Sequence, residues 1–155
     1  MTPDRQRPTS GSTIVHGAAL TLVVAGLMTL LGSNSIWATC ATVRCETPLQ
    51  AMDVRSGIDF GYGVVTAIAA ILLTAIGIDA GRRAGVSPFA IAAVLLALVV
   101  ILTVSAFVID AYVIRDQFPT VFGLPDSGTI VTALGGLATL VAGLRLRRAA
   151  DSPSN

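Results

Sequence analysis

The chain has little with which to do chemistry. Its 155 residues include one histidine and two cysteines, only 12 % are charged, and all ten basic residues are arginine, with no lysine. A net charge of +1 without a basic block argues against nucleic acid as a partner. His16 has no second histidine to complete a bis-histidine haem site. Cys40 and Cys45 do not form a Cys-x-x-Cys motif, have no second pair to pass electrons to, and lack the Cys-x-x-Cys-His run of a covalent haem. No Asp, Glu or Arg falls in the middle of a long apolar run, which weighs against a proton-coupled exporter. These gaps together predict a non-enzyme with no metal and no cofactor. The arginine-only basic set, with abundant Ala and Gly, marks a compositional bias, not a function.

What the chain has is apolar length, at 54 % hydrophobic residues. Four runs stand out, 13–32, 60–79, 88–109 and 128–144, and about twenty residues at about 1.5 Å each cover a hydrocarbon core of about 30 Å. The sequence therefore predicts an all-α integral membrane four-helix bundle over 13–145, between tails at 1–12 and 146–155. Ser12 or Thr13, Ser87-Pro88 and Asp126-Ser127 are the expected helix starts, and Asp79 with Gly81 the expected end of the second helix. The first run follows Arg5 and Arg7 like a signal peptide, but it exceeds a cleavable core of 7–15 residues and is expected to stay as an anchor.

Arginine placement sets the expected orientation. Arg5, Arg7, Arg82, Arg83, Arg145, Arg147 and Arg148 fall on one side, against Arg44, Arg55 and Arg115 on the other, which predicts a plasma-membrane protein with both termini cytoplasmic. The Ser33–Gly57 loop then faces an oxidising exterior, where Cys40 and Cys45 are expected to form a local disulfide. So short a closure gains little entropy, so the bond would shape the loop more than stabilise the bundle.

Weaker candidates come next. His16, near the cytoplasmic face, is a weak candidate for an axial haem or pigment ligand; a hydrogen bond to a carbonyl, headgroup or water is the plainer role. Asp59, Asp79, Asp110 and Asp126 fall at expected helix ends, where capping or pairing accounts for them. Small-residue stripes at four-residue spacing, Gly135, Thr139 and Gly143, then Thr66, Ala70 and Thr74, then Gly17, Thr21, Ala25 and Thr29, read as surfaces for helix packing or contact with a partner. The third run is rich in Leu, Val and Ile on every side. With no breaker before Pro119, it is expected to project about two turns past the membrane.

Gly32-Ser-Asn-Ser-Ile-Trp37, the loop closing on Ser56-Gly-Ile-Asp-Phe-Gly-Tyr-Gly63, and the glycine-bearing entry Gly128 to Gly136 resemble the small uncharacterised four-span membrane proteins of high-GC actinobacteria and relatives. The likeness covers about residues 14–144; Ile36, where Pro often precedes the Trp, and the added cysteine pair depart from it. It implies a fold and a membrane address but no activity. The expected role is a non-catalytic accessory subunit of a larger membrane complex, respiratory, photosynthetic or envelope-building, surrounded by membrane lipids. The alternative is a small oligomeric transporter of a lipid or apolar small molecule.

Overall fold

The computed structural model describes residues 10–38, 55–83, 89–117 and 126–151. Four helices dominate: α1 (Ser10–Asn34), α2 (Tyr62–Arg83), α3 (Ala90–Gln117) and α4 (Ser127–Asp151). Each is long and apolar enough to cross a membrane. Between α1 and α2, β1 (Ile36–Ala38) pairs antiparallel with β2 (Arg55–Ser56), and a 3₁₀ turn follows over Gly57–Phe60.

The helices form a ring in which each packs against its neighbours in sequence and α4 closes back on α1. The start of α1 and the end of α4 therefore lie at one end of the bundle, and Trp37 lies at the other.

Several helix ends differ from the sequence reading, each for a local reason. The first helix begins at Ser10, so Ser12 and Thr13 sit inside it and do not cap it. Helix α2 begins at Tyr62, not residue 60, because the 3₁₀ turn occupies Gly57–Phe60 and Gly61 at φ 70° breaks it from the helix. At their far ends α2 runs on to Arg83 and α4 to Asp151. Arginine is a good helix former, so the charges mark where the apolar span stops while the helix continues. Helix α3, by contrast, continues to Gln117, 28 residues in all or about 42 Å at helical rise, as the lack of a breaker before Pro119 predicts. The Ser87-Pro88 start signal lies outside the described residues.

The buried positions of α3 are Ala90, Ala93, Ala97, Val100, Val104, Phe107 and Ala111, in steps of three and four that alternate without a break. The same alternation runs from Val15 to Gly32 in α1, from Gly63 to Ala80 in α2 and from Gly128 to Leu146 in α4. A repeat of 3.5 residues keeps one seam of each helix facing its neighbours, as in coiled-coil packing. Most seam residues on α1, α2 and α4 are Ala, Gly or Thr, with one fully buried leucine on each, Leu22, Leu73 and Leu146, while α3 adds Val100, Val104 and Phe107.

The small residues interlock by one repeated device. A threonine bonds its hydroxyl back to the carbonyl four residues earlier, and a glycine of the neighbouring helix lies flat against that turn. Gly32 packs on Gly128 to Thr132, Gly135 on Ala25 to Thr29, and Gly26 on Ala70 to Thr74. The three hydroxyl bonds, Thr132 to Gly128, Thr29 to Ala25 and Thr74 to Ala70, measure 2.7, 2.9 and 2.8 Å. The back-bond satisfies a polar side chain within its own helix. The glycine then allows the backbone approach on which helix association depends in lipid, where no hydrophobic force acts between helices.

Candidate functional site

The Gly32 to Trp37 segment, the Ser56 to Gly63 segment and the start of α4 meet at one end of the bundle, around Trp37. Strand β1 carries the indole inward until it is fully buried, at 0 % exposure. Its Nε1–H donates to the Gly32 carbonyl at 2.8 Å. The Trp37 carbonyl accepts from the Asp126 amide at 3.0 Å and the Thr129 hydroxyl at 3.3 Å, which ties the segment to the start of α4. The ring meets Phe107 of α3 edge-on, with centroids 4.9 Å apart at 65°, and Tyr62 of α2 meets the same Phe107 at 5.9 Å and 69°.

Glycines make room for the indole. A Cβ on Gly128 would stand 2.8 Å from Trp37 Cδ1 and 2.5 Å from the Ile36 carbonyl oxygen. One on Gly57 would overlap the indole itself and lie 2.7 Å from the Ser33 carbonyl oxygen, and one on Gly63 would strike Gly57. Beneath the ring the Ser33 and Thr66 hydroxyls join at 2.7 Å, linking α1 to α2. At the rim the Tyr62 hydroxyl donates to Asp110, while the backbone N–H and hydroxyl of Ser56 both donate to Asp59 at 2.9 Å. Trp37 thus touches or is tied to α1, α3 and α4, and α2 joins it through the Tyr62–Phe107 contact. The arrangement is a clasp: every polar atom named is used in holding the end of the bundle together.

The other candidates are dispersed. His16 lies on the exposed face of α1, at the opposite end of the bundle from Trp37. Asp79 pairs with Arg83 at 2.9 Å, one turn along α2. Cys40 and Cys45 lie outside the described residues. Gly135, Thr139 and Gly143 are all buried within the bundle. Gly135 meets α1, Thr139 donates to the Gly135 carbonyl, and Gly143 faces Val94 of α3, 3.1 Å from where its Cβ would be. That stripe therefore packs helices and offers no outer face to a partner. Among the described residues no three His, Cys, Asp or Glu side chains come together as a metal site.

Sequence reasoning missed the roles of Phe107 and Tyr62, whereas Asp110, expected to cap or pair at a helix end, accepts from the Tyr62 hydroxyl. The available signal was positional: Tyr62 opens one span and Asp110 closes the next, so antiparallel packing brings them to one rim. Compared with protein-family models, curated proteins and solved structures, the chain matches none.

Proposed function

We propose that this chain is a non-catalytic accessory subunit of a larger membrane complex of respiratory, photosynthetic or envelope-building type. In this reading it lies in the plasma membrane with both termini cytoplasmic, and a Cys40–Cys45 disulfide shapes its outer loop. The arginine distribution supports that orientation.

The observation that carries the reading is the outer face of α3. Only 28 % of its span is buried, against 39–44 % in the other three. Ile91, Leu95, Leu98 and Leu102 form a continuous exposed apolar stripe there, and Ile109 resumes it one step further on. Their steps of three and four, with Ser105 between Leu102 and Ile109, repeat the spacing of the buried seam on the other side of the same helix. Such a row of knobs suits packing against a further helix.

The test is extraction in mild detergent, followed by mass spectrometry of co-eluting chains. A larger membrane protein should co-purify with the unaltered chain. Leu95→Ala with Leu102→Ala should release it while leaving the subunit folded, because these side chains are 58 % and 67 % exposed in the bundle. If the unaltered protein elutes alone, the accessory reading fails.

A further inference from the structure

At the end of the bundle opposite Trp37, the first turns of α1 and the last turns of α4 border a groove of about 430 Å³. Ile14, Gly17 and Ala18 line one side and Arg145, Arg148 and Ala149 the other. Gly17 differs from the interlocking glycines, since a Cβ there would meet nothing within 4 Å. The groove thus has an apolar wall beside two guanidinium groups that stand three residues apart on one helix face.

We propose that this groove binds an anionic phospholipid, its headgroup phosphate held between Arg145 and Arg148 and its acyl chains leaving along Ile14, Gly17 and Ala18. Charge complementarity is the first argument. Guanidinium forks match phosphate oxygens with two parallel hydrogen bonds each. Arg82, Arg83 and Arg147 stand at the same end, against Asp79, which Arg83 engages, and Asp151 at the close of α4, so positive charge prevails there. The negative end of the α4 dipole points here, but the positive end of α1 lies beside it, so the two partial charges of about half a unit offset one another. The arginines then decide the sign.

Depth is the second argument. The α4 span runs to Ala149, so Arg145 and Arg148 stand at the edge of the apolar region, where headgroups lie. A free phosphate would meet the arginines but leave the apolar wall uncovered, which is why a lipid fits the whole groove and an inorganic ion only part of it.

The test uses the full-length protein in neutral detergent, with thermal unfolding followed by Trp37 fluorescence. Short-chain phosphatidylglycerol, phosphatidylcholine and inorganic phosphate are titrated separately. Phosphatidylglycerol should raise the unfolding temperature in a saturable way, and the other two should not. Arg145→Gln with Arg148→Gln should weaken its binding by about tenfold or more, about 1.4 kcal/mol per factor of ten. Gly17→Leu keeps every charge but fills the groove, and should weaken binding as much. Arg82→Gln with Arg147→Gln removes two charges outside the groove, and should retain binding within about twofold. The proposal is overturned if the outside pair loses as much as the groove pair. It is equally overturned if Gly17→Leu binds like the unaltered chain, or if phosphatidylcholine or inorganic phosphate gives the same shift. The lesions sit on two different helices at exposed positions, so a folding failure in one leaves the other to decide.

Discussion

Gly32→Ala is the sharpest probe of the glycine-on-threonine interlock. The added Cβ would stand 2.5 Å from the Thr132 hydroxyl oxygen, 2.7 Å from its backbone nitrogen and 3.0 Å from the Gly128 carbonyl oxygen. The hydroxyl could rotate, but that breaks its 2.7 Å bond to Gly128, and the two backbone atoms cannot yield without the helix. Ordinary contact begins at 3.4 Å, so α1 and α4 must part locally by about 0.7 Å. A gap of that size forfeits about a quarter to a half of each dispersion contact it opens. Overpacking of this kind costs about 1–3 kcal/mol. The opposing term is the better helix propensity of alanine, about 1 kcal/mol at most. With backbone atoms on the receiving side the strain falls in the upper part of that range, leaving a net loss of up to about 2 kcal/mol once that gain is subtracted.

At Gly17 the steric term is missing, because nothing lies within 4 Å of its Cβ position, so Gly17→Ala should be neutral or stabilising. The assay is denaturant unfolding in mixed micelles, with the two variants compared side by side. Gly32→Ala should unfold at lower denaturant than the unaltered chain, and Gly17→Ala should not. Equal midpoints for the two variants would refute the interlock as a source of stability.

Three further predictions concern other parts of the chain. Trp37 is the only tryptophan and is fully buried, so emission should be blue-shifted and insensitive to iodide, and Trp37→Phe should lose about 1–2 kcal/mol with the bond to Gly32; strong iodide quenching would show the clasp to be open. Single cysteines placed in a background free of Cys40 and Cys45 should react with an impermeant reagent from outside at Gln50 and Gln117 but not at Ala84, and outside labelling at Ala84 would invert the arginine argument. His16→Gln should leave the absorbance spectrum of the purified protein unchanged, whereas loss of a chromophore band with the protein still present would establish ligation.

The spans were legible because twenty apolar residues in a row admit one solution in lipid. Their pairing was not. Stripes such as Gly135, Thr139 and Gly143 follow a four-residue spacing, whereas the buried seams alternate three and four. In a chain this rich in Ala, Gly and Thr, almost any spacing finds small residues. Gly17 and Gly143 show the difficulty: both belong to a four-residue stripe, yet one opens on a groove and the other faces Val94. The clasp was half legible. Its Gly and Trp positions stood out as motifs, but the aromatic that receives the indole, Phe107, sits inside an unbroken apolar run and carries no local signal.

The interlocks also rank the helices. Helix α1 contributes to every one: Gly26 meets α2, and Gly32, with the Ala25 to Thr29 turn, meets α4. Its two flanks are therefore held by backbone approach, which fixes separation tightly. Helix α3 takes part in none of the three. It meets α2 and α4 through a mixed set, Ala93, Val94 and Ala97 beside the larger Val100, Val104 and Phe107, and its interfaces are the less extensive ones. Local opening follows the contacts that are cheapest to break, so α3 is the helix that should part first from the others. A partner packed along Ile91, Leu95, Leu98 and Leu102 would bind the closed bundle in preference to the opened one, and would stabilise it by mass action. Docking through α3 and completing the fold would then be one equilibrium, and the fully buried Trp37, which meets Phe107 of α3 edge-on, reports it from the far end of that helix.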